Sequence, residues 1–81
     1  MKHRFVVIVT LRPGLADPAG SAVEGSLPAL GFEGVSEIRI GKHIELSVDA
    51  DDVSAAMAVA HKVAEKLLSN PVIEDVSVMP A

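Results

Sequence analysis

Eighty-one residues suit one domain, 1–81, with a small core, because a chain this short removes only about 60–65 % of its unfolded surface from water on folding. A net charge of −4 and a pI near 5.1 exclude the basic stripe that nucleic-acid binding needs, and the absence of cysteine excludes disulfides, thiolate nucleophiles and thiolate metal sites. Hydrophobic residues make up 49 % and mean hydropathy is +0.41, which in so short a chain points to apolar surface buried against another subunit.

The chain opens on Met1-Lys2-His3-Arg4 and an apolar run to Leu11. As a signal peptide this is short, a charge follows at Arg12, and no small-residue cleavage site is clear. No run reaches the ~20 apolar residues of a membrane helix. A small secreted domain would usually carry disulfides, so the expected compartment is the cytoplasm, with no membrane partner. Residues 4–11 read instead as a strand, with Phe5, Val7, Val9 and Leu11 on one face and Val6 and Ile8 on the other. Both faces want cover, so the strand is central or is covered by a partner.

A loop, LRPGLADPAG, follows. Asp17 suits a helix N-cap and Pro18 the first helical position. Ala19, Val23, Leu27 and Leu30 recur at helical spacing, and Gly31 is a natural left-handed stop. Gly20 and Gly25 weaken this helix, and Pro28 predicts a kink or an early end. Residues 35–48 carry an alternating pattern, with Ile38, Ile40, Ile44, Leu46 and Val48 on one parity, Glu37, Arg39, His43, Glu45 and Ser47 on the other, and an interruption at Gly41. A two-residue hairpin at Gly41-Lys42 would set apolar against polar on one face. A three-residue loop, or one long strand bent at Gly41, preserves the pattern.

Asp51 and Asp52 open the strongest helix. Its expected buried stripe is Val53, Met57, Ala60, Val63, Ala64, Leu67 and Leu68. Asn70-Pro71 ends it. Val72 to Met79 reads as a last strand, with Val72, Val76 and Val78 on one face. The expected fold is α+β, related to the ferredoxin-like arrangement: an antiparallel sheet with two helices on one face, in the order β-α-β-α-β, the middle strand long and bent or a hairpin.

Chemistry is sparse. The opening loop lacks the lysine and hydroxyl of a P-loop, and no dinucleotide fingerprint is present. Arg12 and the helix start could meet an anion, but Asp17 would repel it. His3, His43 and His61 lie on separate elements without metal-ligand spacing. Glu74 and Asp75 are strand neighbours and point to opposite faces, so they form no dyad. Asp51-Asp52 suits a cap. Ser21, Ser26 and Ser54 have no base in reach. Only Phe5 and Phe32 are aromatic, too few for base stacking on a sheet. These residues describe a small interaction or regulatory domain with no active site of its own.

The stretches VTLRPGLADPAGSAVEGSLPALGF and VSEIRIGKHIEL, then an acid-opened helix, then LLSNPVIEDV together resemble the PurS family over nearly the whole chain. The resemblance implies the small, non-catalytic subunit of phosphoribosylformylglycinamidine synthase in purine biosynthesis. It implies homodimers or higher oligomers that bridge a large synthetase subunit (PurL) and a glutaminase subunit (PurQ) for ammonia transfer. It also implies that ATP and magnesium are bound by the large subunit and that no cofactor is bound by this chain. Arg39, Gly41 and Lys42 match the family's R-[IV]-G-K stretch, and Asn70, Pro71, Glu74 and Asp75 its N-P-x-x-E-D stretch. The expected partner-interface residues are Arg12, Asp17, Arg39, Lys42, Asn70, Glu74 and Asp75. The residues themselves also allow solvated charges and plain turns at these positions. An ACT-like domain that senses a small molecule is the alternative reading.

Overall fold

The computed structural model describes Met1–Ala81. Strand β1 (Lys2–Leu11) is central, with β2 (Lys42–Asp49) and β3 (Glu74–Pro80) antiparallel on either side. Val7 lies opposite both Ile44 and Val78, and Phe5 opposite Leu46 and Pro80. This register puts the apolar parity of all three strands on one face, as a sheet buried on that side requires.

Helix α2 (Val53–Val63) covers that face. Asp52 caps it, accepting the Ala55 N–H at 2.8 Å. Ala56, Ala60 and Ala64 are fully buried against Phe5, Val7 and Val9. Their four-residue spacing forms one narrow stripe, and their small side chains let the helix backbone come close to the sheet. The expected stripe was displaced. Val53 is exposed in the first turn, and Leu67 is 80 % exposed. The last turn, Ala64–Leu68, is π-helical and wider than an α turn, so Leu68 rather than Leu67 returns to the core. The Ser69 hydroxyl closes this turn by donating to the Ala64 carbonyl at 2.9 Å.

Helix α1 (Pro18–Ser26) has the expected Asp17 cap and Pro18 start. It ends early. Pro28–Leu30 form a 3₁₀ turn, and Gly31 closes it at φ 87°. Of the two helices, α2 is the one that packs on the three strands; α1 lies against the turn that follows it and against the Ile38 backbone, to which Glu24 is hydrogen-bonded.

Two strand boundaries also differ. Val35–Gly41 lies outside the sheet, so the middle stretch is neither a hairpin nor one long strand. Glu37 takes a left-handed φ of 58°, which breaks the extended run. A Cβ on Gly41 would lie 2.5 Å from the Val9 carbonyl oxygen, so only glycine lets the chain enter β2 beside β1. Val72 is 78 % exposed in a turn, and β3 begins at Glu74. Asn70 holds that turn. Its carbonyl accepts the N–H groups of Ile73 and Glu74, and its side chain accepts the Val72 N–H.

Candidate functional site

One end of the sheet gathers most of the candidate interface residues. The end of β1 runs into Arg12, whose backbone N–H donates to the Ile73 carbonyl at 2.9 Å. The Arg12 guanidinium donates to the Pro71 carbonyl and lies 3.5 Å from Asp75 Oδ1. Glu74 Oε1 accepts the Asn70 N–H at 2.7 Å. Arg12, distant in sequence, therefore joins Asn70, Glu74 and Asp75 in one polar corner. The Arg12–Asp75 pair is half-exposed and worth at most about 1 kcal/mol. It shapes the surface more than it stabilises the fold.

Asp17 and Arg39 lie next to that corner and tie the chain to itself. Asp17 is the one buried charged residue, 6 % exposed. Its Oδ1 accepts the Gly20 N–H and its Oδ2 the Ile40 N–H, both at 2.8 Å. These two bonds, the Gly20 donor first, hold its carboxyl below its ordinary value of 3.8, and the Arg39 charge adds to them against the opposing effect of burial. Arg39 donates to the Leu15 carbonyl at 2.7 Å and to the Arg12 carbonyl at 3.3 Å. Lys42, at the start of β2, is exposed.

The sequence reading missed Glu24 and the role of Gly20. Glu24 Oε1 accepts the Ile38 N–H at 2.8 Å. Gly20 brings α1 against the Ile38 carbonyl, with no room for a Cβ. A glycine inside a short helix, kept at a cost in propensity, was the available signal.

Between the 10–17 loop, α1 and residues 36–39 runs an open groove of about 770 Å³. Polar and charged residues outnumber apolar ones in its lining, yet most of the exposed lining surface is apolar, and Asp17, Glu24 and Arg39 already bind backbone groups. No cluster of three His, Asp or Glu side chains is close enough to hold a metal ion.

Residues 4–80 match the model of the family described as PurS, phosphoribosylformylglycinamidine (FGAM) synthase. The chain belongs to the PurS family. It is 48 % identical over 77 residues to the PurS subunit of Synechocystis sp., covering 93 % of this chain and 77 % of that one. The crystal structure of Thermotoga maritima PurS superposes on all of this chain and 93 % of its own, with 32 % identity and a TM-score of 0.89. A chain of the Thermotoga maritima PurLQS structure gives a TM-score of 0.90 at 32 % identity, covering all of this chain and 99 % of that one. The PurS fold thus extends over both the sheet core and the outlying α1 region.

Proposed function

We propose that this chain works as the non-catalytic PurS subunit of FGAM synthase in purine biosynthesis, holding the complex together rather than acting on a substrate. The observation that carries this reading is unfinished burial. The chain exposes 5597 Å². A compact monomer of its 8.4 kDa would expose about 4,600 Å². The excess of about 1,000 Å² is close to the ~800 Å² that each partner contributes to a standard interface. The radius of gyration is 16.3 Å, against about 12 Å for a compact chain of this length. The excess is apolar in part. Leu30, Phe32 and Val35 are exposed around α1, and Val6 and Ile8 are only half-buried on the sheet face opposite α2.

In this reading a second copy covers part of that surface, and the rest meets the large synthetase subunit and the glutaminase subunit. ATP and magnesium belong to the large subunit, and the complex works in the cytoplasm. Lys42 and the polar corner of Arg12, Asn70, Glu74 and Asp75, with Asp17 and Arg39 behind it, lie on the partner-facing side. No helix is long and apolar enough to cross a membrane. The experiment is reconstitution: glutamine-dependent amidine formation by the large and glutaminase subunits, with and without this chain. The expected result is full activity only when the chain is present. Equal rates without it, and no co-elution with either subunit, would refute the reading.

A further inference from the structure

Apart from Met1, the most exposed large apolar side chains are Leu67, 80 % exposed, and Val72, 78 % exposed. They flank Asn70 in the turn that joins the end of α2 to β3, and Ile73 beside them is exposed as well. This apolar tip is fixed in place. Every residue from Ser69 to Glu74 takes part in a hydrogen bond. The Ser69 hydroxyl donates to the Ala64 carbonyl across the π turn. Asn70 accepts the N–H groups of Val72, Ile73 and Glu74, and Glu74 Oε1 accepts the Asn70 N–H. Arg12, from the end of β1, donates its backbone N–H to the Ile73 carbonyl and its guanidinium to the Pro71 carbonyl. The π turn serves the same end, because it turns Leu67 outward where the helical stripe would have buried it.

An apolar side chain on a turn already fixed leaves little ordering entropy to be lost when a partner covers it. Beside the tip runs a groove of about 350 Å³, lined by three acids, Glu65, Glu74 and Asp75, and one base, Arg12. Lys66 does not line it. Arg12 faces Asp75 at 3.5 Å, while Glu65 and Glu74 have no cationic partner, so the charge left over is negative. Its complement is an apolar pocket with lysine or arginine on the rim. A second copy does not supply one. A two-fold contact repeats the same patch on both sides, and would bring the acids of one copy against those of the other. We infer that Leu67 and Val72 are the anchors that dock this chain into a basic-rimmed apolar pocket on a different subunit of the synthase. The inference rests on the assembly reading above, and it supplies the anchoring side chains and the chemistry of their partner.

The test uses the full chain, the double variant Leu67→Ala with Val72→Ala, and the single variant Glu65→Lys. Binding to the large subunit and to the glutaminase subunit is measured by surface plasmon resonance at low and high salt. Melting temperature and self-association of each chain are measured alongside. The double variant should keep the parent's melting temperature and self-association, and should bind one of the two subunits about thirtyfold more weakly. Glu65→Lys should slow association with that same subunit about tenfold at low salt and leave it nearly unchanged at high salt. Undiminished binding of the double variant to both subunits overturns the anchors. A fallen melting temperature does so too, since the two side chains would then serve the fold. Unslowed association of Glu65→Lys at low salt overturns the basic rim. Loss of self-association in the double variant makes a second copy the occupant and overturns the choice of partner. A parent chain that binds neither subunit fails the assembly reading itself, whereas a parent that binds no better than the double variant fails the anchors alone.

Discussion

Gly20 and Gly25 lie in the same nine-residue helix, yet alanine should act on them in opposite directions. At Gly25 a Cβ meets nothing within 4 Å. Alanine there should stabilise the chain by about 1 kcal/mol through helix propensity and a less flexible unfolded state. At Gly20 the Cβ would lie 2.0 Å from the Ile38 carbonyl oxygen and 2.9 Å from its carbon, and both are backbone atoms. Ordinary contact begins at 3.4 Å, so α1 and the 36–40 segment must separate by about 1.4 Å. The Ile38 N–H to Glu24 bond, 2.8 Å long, would then be stretched beyond hydrogen-bonding distance. A bond to a charged acceptor contributes about 1.5–3 kcal/mol, which outweighs the propensity gain of about 1 kcal/mol. Gly20→Ala should therefore lose about 0.5–2 kcal/mol where Gly25→Ala gains about 1. Urea denaturation at one fixed protein concentration measures both, the concentration being held because self-association shifts the midpoint. Equal stability of the two variants would refute the claim that α1 is docked on the Ile38 carbonyl.

Asp17 predicts an acid dependence. Its folded pKa is lowered from 3.8, so its contribution is fully present above that value and is lost as pH falls through the folded one. The Ile40 amide resonance should move in that acid range in the parent chain and stay still in Asp17→Asn. Phe5 is fully buried in a core of few large side chains, so Phe5→Ala should cost about 3–5 kcal/mol and leave the isolated chain largely unfolded by circular dichroism. Adding the other synthase subunits should restore its folded signal, because a partner that binds only the folded state stabilises it. Asp52→Ala removes the cap of α2 and should cost about 1 kcal/mol, read as a fall of about 4–8 °C in the melting temperature. Lys42→Ala should leave stability within about 0.5 kcal/mol while weakening assembly, and an unchanged complex would remove Lys42 from the interface.

The local rules were legible in the chain itself. The alternation in β1 grouped Phe5, Val7 and Val9 on one face, which the fold buries, and Asp17-Pro18, Pro28 and Gly31 marked where the first helix starts and stops. These signals depend on residues within a few positions of one another, and backbone sterics and side-chain caps act at that range. The barren inventory of catalytic groups and the PurS-like stretches could likewise be read in order along the chain.

Tertiary structure decided what depends on distant partners. Ile38 and Ile40 alternate as strand residues do, but their N–H groups are taken by Glu24 and Asp17, so the segment leaves the sheet. Leu67 fits a helical stripe, but a π turn fixed by Ser69 sends it outward. The seven candidate interface residues carried no sign of which were already engaged. The fold gives Arg12, Asp17, Arg39, Asn70 and Glu74 backbone partners, and it leaves Lys42 exposed. A sequence shows which side chains can form a hydrogen bond. Whether the bond is made within the chain or left for another subunit depends on which backbone groups the fold brings within about 3 Å.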